Sequence, residues 1–217
     1  MFYFAFQSTF KMAQKDYLKE ISEIKSIMHK SSRFISLSGL SGILAGIYAL
    51  IGATIAIYVL RNYKNLYSGV SLLPISYLEY LLITIALVVL ILAVLTAFIL
   101  SAKKAKKSGE KLWDAASKRL LINFAIPLFT GGIFCIVLYQ NNLIGLIAPS
   151  TLIFYGLACL NASKYTLGDI RYLGIVNILL GLIATQFIGF GLYFWALGFG
   201  VLHIIYGTVM YNKYDKK

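Results

Sequence analysis

Charged residues are scarce in this chain, and negative charge is the scarcest of all. Its 217 residues include 8 Asp and Glu against 20 Lys and Arg, and charged residues make up 13% of the sequence while hydrophobic residues make up 59%. With a mean hydropathy of +0.79, a chain of this length has more apolar surface than a water-soluble domain can bury. The scarcity of charge therefore excludes an ordinary soluble domain and predicts a protein whose solvent is lipid.

Residues that carry catalysis or bind metals are also few. Cys135 and Cys159 fall within apolar segments, away from any histidine or acidic cluster, which is typical of small packing residues and not of a disulfide or a metal site. The chain has no HExxH motif, no acidic pair suited to a metal and no Ser/His/Asp set. These absences argue against an enzyme, and we predict no catalytic residue, no cofactor and no metal.

The positive residues that are present occupy alternate gaps between six long apolar stretches. Of the 20 Lys and Arg, all but Arg61 and Lys64 lie before residue 35, between residues 100 and 120, between residues 160 and 172, or after residue 211. Cytoplasmic loops carry such an excess of Lys and Arg, so the pattern predicts both termini in the cytoplasm. This placement, with attraction to anionic lipid headgroups, explains the net charge of +12, and we expect no nucleic-acid partner.

The apolar stretches predict six transmembrane helices, because about 20 residues at 1.5 Å rise per residue cross a hydrocarbon core of roughly 30 Å. The predicted spans are residues 35–60, 78–100, 120–139, 143–160, 172–188 and 192–211. The uncharged run from Leu173 to Tyr211 is about twice the length that one helix needs, so a turn must lie within it, best placed at Gly189 to Gly191. The expected fold is therefore all-α: a polytopic membrane protein of six helices in three hairpins, N-in and C-in.

Two cytoplasmic segments are expected to flank the bundle of residues 35–211. In residues 1–34, apolar residues recur every three or four positions between 17 and 28, which predicts a short amphipathic helix. That helix would lie on the inner leaflet, pack under the bundle or dock a cytoplasmic partner. Residues 212–217 form a basic tail. No cleavable signal peptide is evident, and Met12 is a second candidate for the start of translation.

Small residues recur at helical spacing in three of the spans. Small side chains let helices approach closely, and Gly42 with Gly46 forms a GxxxG motif. The predicted packing residues are Gly39, Gly42, Gly46, Gly174, Gly181, Gly200 and Gly207. Packing within the monomer is favoured, and a homo-oligomer is the alternative.

The surroundings of this motif also carry a resemblance. Residues 33–50 read RFISLSGLSGILAGIYAL, and this segment resembles a family of uncharacterised bacterial multi-pass membrane proteins of unknown function. The resemblance is clearest over residues 24–52 and extends loosely over the six-span layout. It implies a bacterial inner-membrane location and transfers no functional residue.

Polar side chains inside the spans are the candidate intramembrane site, because a polar group in lipid needs a partner. This set consists of Asn123, Asn177, Gln186 and His203. His203 could bind a ligand or relay a proton, but a structural histidine that is hydrogen-bonded to a neighbouring group is favoured, since no carboxylate lies on its own span. A second set follows the second span, where Lys103, Lys104, Lys106 and Lys107 are expected to contact anionic lipid at about 1 kcal/mol each, although topology alone would also select them.

Two functions are consistent with this sequence. The leading expectation is a non-enzymatic inner-membrane protein that acts through its packed helices and basic cytoplasmic face, as a partner-binding or sensory component. The alternative is a small permease or channel for a weakly polar or apolar substrate. A continuous polar path past the four intramembrane polar residues would favour transport, whereas a solid core would favour the interaction protein.

Overall fold

The computed structural model describes residues 34, 36–66, 75–109 and 112–216, and these form helices joined by turns, with no strand among them. The helices are α1 (Gly39–Leu66), α2 (Ile75–Lys107), α3 (Ala115–Gln140), α4 (Ile147–Ala162), α5 (Ile170–Ala184) and α6 (Gly191–Asp215). A 3₁₀ turn, Ile144–Leu146, leads into α4, and α6 contains two π-helical turns, Ala196–Val201 and Tyr211–Asp215. The amphipathic helix predicted between residues 17 and 28 lies outside the described residues.

Five helices in the described part of the chain are long and apolar enough to cross a membrane, namely α1, α2, α3, α4 with its 3₁₀ turn, and α6. The prediction of an all-helical membrane protein is confirmed at this level. α5 is apolar but has 15 residues, which is about 22 Å of helix at 1.5 Å per residue. The fifth predicted span therefore ends earlier than expected. Residues 185–190 form turns instead, and Gly189 takes a φ of +99° that suits the chain reversal expected there.

Local residues set several helix ends. The Asp114 carboxylate accepts a hydrogen bond from the Ser117 N–H at 2.7 Å, and the Ser117 hydroxyl accepts one from the Asp114 N–H at 2.8 Å, so α3 begins with a capping box. Pro149 lies in the first turn of α4, where no hydrogen bond from its nitrogen is needed. Asn142, in the turn between α3 and α4, has a φ of +59°, a conformation that asparagine tolerates well.

The helices run up and down, so the gaps rich in Lys and Arg meet at one end of the bundle. We call this the basic end, and it comprises residues 34, 36–39, 101–109, 112–118, 161–171 and 211–216. The Phe34 N–H donates to the Tyr165 carbonyl at 2.8 Å, and the Thr166 hydroxyl donates to the Phe34 carbonyl at 2.7 Å. At the opposite end the Tyr139 hydroxyl donates to the Glu79 carboxylate at 2.6 Å. The alternation of charge along the sequence is thus an alternation between two ends in space.

Helix packing departs from three simple hairpins. α1 packs on α2 and α3 packs on α4, as neighbouring helices in the sequence were expected to do. α5, however, packs most extensively on α4, and α6 packs most extensively on α1. The last two helices are joined by a turn, but each has its main partner elsewhere. α2 lies at the edge of the bundle and its most apolar stretch has no buried residue, which suits a surface facing lipid.

Glycines make the α1–α6 contact close enough to exclude side chains. A Cβ at Gly46 would meet the Gly200 carbonyl oxygen at 2.6 Å, and one at Gly207 would meet the Ile43 nitrogen at 2.5 Å. A Cβ at Gly42 would lie 3.2 Å from the Cα of Gly207. The GxxxG motif of α1 therefore packs against another helix of the same chain. Gly39 belongs to the same contact, facing the backbone of Tyr211.

The α4–α5 contact follows the same principle. A Cβ at Gly174 would meet the Gly156 carbonyl oxygen at 2.7 Å, and a Cβ at Gly181 would meet the Pro149 carbonyl oxygen at 2.9 Å. Backbones this close gain van der Waals contact in lipid, where burial of apolar area alone does not drive helices together. These glycines explain why α5 prefers α4 to its sequence neighbour α6.

Candidate functional site

A π-helical turn in α6 lies at the centre of the polar interior. The turn spans Ala196–Val201 and includes Gly198, which is buried. A Cβ there would collide with the Leu152 side chain and lie 2.7 Å from Asn177 Oδ1. Turns of this kind occur frequently at functional sites, because the extra residue re-aims the backbone groups of the helix. Here the turn brings three helices, α4, α5 and α6, around one glycine.

His203 follows this turn in α6 and makes two hydrogen bonds, one back to the turn and one to α4. Its Nδ1 lies 2.9 Å from the Gly198 carbonyl oxygen, and its Nε2 lies 2.7 Å from the Tyr155 hydroxyl. Because a carbonyl oxygen can only accept, Nδ1 carries the hydrogen, and Nε2 then accepts from Tyr155. Both ring nitrogens of a neutral imidazole are satisfied within the bundle. This is the hydrogen bonding that a structural role of His203 requires.

Aromatic rings enclose the imidazole. The Tyr155 ring lies 5.2 Å from the His203 ring and 4.9 Å from the Phe199 ring, measured between centroids. Phe124 of α3 meets Tyr155 edge-on at 5.9 Å, and Trp195 lies 5.0 Å from Phe199. Rings packed at these distances stabilise one another, and His203 is only 6% exposed among them.

Asn177 is the second polar residue at Gly198, and it is 0% exposed. Its Nδ2 donates to the Leu173 carbonyl one turn earlier in α5, at 2.9 Å. Its Oδ1 accepts no hydrogen bond from any residue that the structure describes, although it lies against the Cα of Gly198. A Cα–H group is a weak donor, so this buried oxygen lacks a conventional hydrogen bond.

The other two predicted polar residues lie elsewhere. The Asn123 side-chain amide donates to the Arg119 backbone carbonyl within α3, and the Asn123 backbone carbonyl accepts from Asn161 Nδ2 at 2.8 Å. Gln186 is exposed in the turn after α5 and contacts Thr185. The structure therefore brings together Asn177 and His203, and it separates both from Asn123 and Gln186.

Three participants in the interior were not predicted as site residues from the sequence: Tyr155, Gly198 and Tyr206. The Tyr206 hydroxyl is buried and has no hydrogen-bond partner among the described residues. The Cys159 thiol lies within hydrogen-bonding reach of the Tyr155 hydroxyl. A tyrosine in an apolar helix is ordinarily read as an interface anchor, so only the rotation of α4 and α6 reveals that these two face inward.

A second polar cluster lies at the basic end, and it centres on Asp215. Its Oδ1 accepts from the Lys104 ammonium at 2.6 Å, and its Oδ2 accepts from the Gly39 N–H at 2.8 Å and the Ser38 hydroxyl at 3.2 Å. Lys104 also donates to the Leu37 carbonyl at 2.9 Å. This acidic residue joins the end of α2, the start of α1 and the end of α6.

The four lysines after the second span are therefore not equivalent. Lys103, Lys106 and Lys107 are exposed, while Lys104 is partly buried in its ion pair with Asp215. Three of the residues predicted to contact anionic lipid are free to do so from the surface. The fourth is engaged by a carboxylate of the same chain.

A second ion pair holds the last turn of α6 to the start of α5. Lys213 Nζ lies 2.7 Å from Asp169 Oδ2, and the Tyr214 hydroxyl donates to the same oxygen at 3.0 Å. The hydrogen bond from Lys213 lowers the pKa of Asp169 below its ordinary value, and the bond from Tyr214 acts in the same direction. The carboxylate therefore stays ionised to a lower pH than an ordinary aspartate does.

The described residues offer no group of three or more His, Cys, Asp or Glu side chains that could hold a metal ion. Comparison with known proteins finds no matching family model, no matching curated protein and no matching solved structure. The fold and the two polar clusters define a helical membrane protein, and its function has to be argued from this geometry.

Proposed function

We propose that this chain is a bacterial inner-membrane protein with both termini in the cytoplasm, and that it acts without enzymatic activity as a partner-binding or sensory component. The observation that carries the proposal is the separation of its polar residues. Asn177 and His203 are held at Gly198 in the interior, while Gln186 is exposed in a turn at the other end from the basic end. Four polar groups so distributed do not line one path for a solute.

The surface through which it acts is the basic end. Lys103, Lys106 and Lys107 are exposed there. Beside them, two ion pairs tie α6 to α2 and to α5, and hydrogen bonds from Ser38 and Gly39 to Asp215 add the start of α1. Exposed lysines next to membrane spans attract anionic lipid and acidic protein segments. Because four helices meet here, binding of a partner would respond to changes in helix packing or would cause them.

Photo-crosslinking in intact cells tests this proposal. A crosslinking residue at Lys106 should capture a discrete protein partner, because Lys106 is exposed at the basic end. The matched control is Asn141, exposed in the turn at the opposite end, which should capture none. Equal crosslinking from both positions, or none from Lys106, would contradict a partner-binding role of the basic end.

The alternative is a small permease or channel, and one observation favours it. α5 is short, α6 is interrupted by a π turn, and the unsatisfied Asn177 Oδ1 lies between them. Short or interrupted helices that meet near the middle of a membrane often mark transport sites. Proteoliposomes that pass small solutes, and lose this flux when Asn177→Leu is introduced without loss of folded protein, would favour transport over the leading proposal.

A further inference from the structure

Exposed lysines near the end of α2 form a stripe of positive charge at the basic end. Lys103, Lys106 and Lys107 are exposed, and because the second and third follow the first by three and four residues, they share one face of the helix. We call these three residues the lysine stripe. They form no ion pair with the residues that the structure describes, among which Lys104 and Lys213 are the paired lysines. Like charges this close repel one another, so a group of opposite charge beside them is favourable.

The described carboxylates of the basic end are already engaged. Asp215 and Asp169 are held in the two ion pairs, and Asp114 caps the start of α3. Among the described residues of this end, no carboxylate is left for the lysine stripe. The negative charge that would neutralise it has to come from lipid, from a partner or from another part of this chain.

The sequence before α1 supplies such charge. Three of the chain's 8 acidic residues lie there, outside the described residues: Asp16, Glu20 and Glu23. Their spacing of four and three puts them on one face of the amphipathic helix predicted around residues 17–28. At about 100° per residue, this acidic face lies between the apolar stripe of that helix and Lys15 and Lys19. Anionic headgroups repel carboxylates beside an apolar stripe, whereas the lysine stripe attracts them.

The chain enters the bundle next to the lysine stripe. Phe34 is buried at the basic end and is held there by two hydrogen bonds with the connection before α5. Three residues later, the Leu37 carbonyl accepts from Lys104, which lies within the same part of α2 as the stripe, at 2.9 Å. Residues 29–33 join the predicted helix to Phe34, and five extended residues span at most about 18 Å. A helix tethered in this way stays near the stripe at a high effective concentration.

We propose that residues 16–28 dock as a helix on the basic end, with Asp16, Glu20 and Glu23 facing the lysine stripe. The occupant of this surface is thus a segment of the same chain. Opposite charges at a solvated surface hold it, so the contact is weak enough to be reversible. A partner that binds the basic end has to displace the segment, which makes the contact autoinhibitory. The docking itself does not rest on the partner-binding function proposed above.

Distances between two spin labels test the docking in the full chain, in nanodiscs of phosphatidylcholine and phosphatidylglycerol. One label is placed at Ser22→Cys, away from the acidic face and the apolar stripe of the segment, and the other at Ser108→Cys, which is exposed just after α2. The background carries Cys135→Ser and Cys159→Ala. We expect one narrow distance distribution that dilution with unlabelled chain leaves unchanged. A broad distribution, or one that is lost on dilution because it comes from a second copy, would overturn the proposal.

Charge exchange separates docking from a helix that lies on the inner leaflet. Glu20→Lys places a lysine against the lysine stripe and should broaden the distribution, and adding Lys106→Glu should restore it. Arg119→Glu is the matched control, because it makes the same change of charge at an exposed position of α3, and it should not restore the distribution. No effect of Glu20→Lys, no restoration by Lys106→Glu, or equal restoration by Arg119→Glu would show that the segment rests on lipid or on general surface charge, and the proposal would be wrong.

Salt provides a second measurement that needs no change of charge in the chain. The Debye length falls from about 10 Å at 0.1 M to about 3 Å at 1 M ionic strength. The narrow distribution of the labelled chain should therefore broaden when the salt concentration is raised over this range, and it should return on dialysis to low salt. A distribution that stays narrow at high salt would show that opposite charges do not hold the segment, against the proposal.

Discussion

The imidazole of His203 is satisfied by groups that stand 5 and 48 positions away in the sequence, the Gly198 carbonyl and the Tyr155 hydroxyl. The nearer partner is available only because α6 takes a π turn at that point, and the farther one lies on another helix. Asn177 shows the converse case, since its Oδ1 reaches the same glycine and finds no donor. At the scale of single residues, the interior thus combines a fully hydrogen-bonded histidine with buried polar atoms, Asn177 Oδ1 and the Tyr206 hydroxyl, that have no partner among the described residues.

Replacing His203 tests this residue directly. His203→Leu leaves the Gly198 carbonyl and the Tyr155 hydroxyl without a partner, at a cost of roughly 1 to 3 kcal/mol, whereas His203→Gln preserves part of the bonding. The free energy of unfolding should therefore fall in the order native, Gln, Leu. A native protein whose stability changes sharply between about pH 5 and 8, with both variants flat, would instead favour a proton or metal role.

The ion pair of Asp169 predicts a dependence on pH. Because the folded protein lowers the pKa of Asp169, the unfolded chain binds the proton more readily, so the pair stabilises the protein above the ordinary aspartate pKa of about 4 and is lost as pH falls through the lower folded value. Asp169→Asn should lower stability at pH 7 by up to about 1 kcal/mol, as expected for a partly exposed pair. Thermal unfolding at pH 7 and below pH 3 checks this. A deficit that persists unchanged in acid would contradict the assignment.

At the scale of helices, glycines decide which elements become neighbours. α1 meets α6 through Gly46 and Gly200, and α4 meets α5 through Gly156 and Gly174. The close approach brings the start of α1 within hydrogen-bonding distance of Asp215 in α6, and it brings the start of α5 to Lys213. The ion pairs at the basic end are a consequence of this packing, because small changes in helix register would separate their partners.

A pair of glycine substitutions tests the packing. Gly46→Leu would place a side chain against the Gly200 carbonyl and Ile204, and overpacking of this kind costs typically 1 to 3 kcal/mol. Gly132→Leu is the matched control, because no atom lies within 4 Å of its added Cβ and leucine favours a helix over glycine. Thermal stability in detergent should fall for the first variant and hold or rise for the second. Equal stability of the two variants would show that α1 does not pack through Gly46.

At the scale of the whole molecule, charge is sorted between the two ends of the bundle. The basic end holds the connections rich in Lys and Arg, while Arg61 and Lys64 lie at the end of α1 that faces the other way. This sorting is what topology by positive charge requires, and it predicts that the basic end faces the cytoplasm.

Cysteine labelling tests this orientation. In a background with Cys135→Ser and Cys159→Ala, single cysteines at Asn141 and Ser108, both exposed and at opposite ends, should differ in reaction with an impermeant reagent in intact cells. Asn141→Cys should react and Ser108→Cys should not, because only the former is expected outside. Labelling of Ser108→Cys alone would reverse the topology, and equal labelling would leave the charge rule without support here.

The membrane class and the alternation of ends could be predicted from the sequence, because composition and charge spacing are properties of the chain read in one dimension. The approximate spans and the turn at Gly189 follow from the same pattern, and the structure places all seven predicted packing glycines at helix contacts. The early end of α5 was not predicted, because residues 185–190 carry no charge and contain Phe187, Ile188 and Phe190, so the uncharged run continues through the turn.

Tertiary structure alone decided which polar groups meet. A helix in lipid is apolar on every side, so hydrophobic periodicity does not mark its buried face. The inward rotation of Tyr155, the placement of Asn177 at Gly198 and the capture of Lys104 by Asp215 all depend on helix rotation and register. These are settled by contacts between residues far apart in the chain, which neither composition nor spacing records.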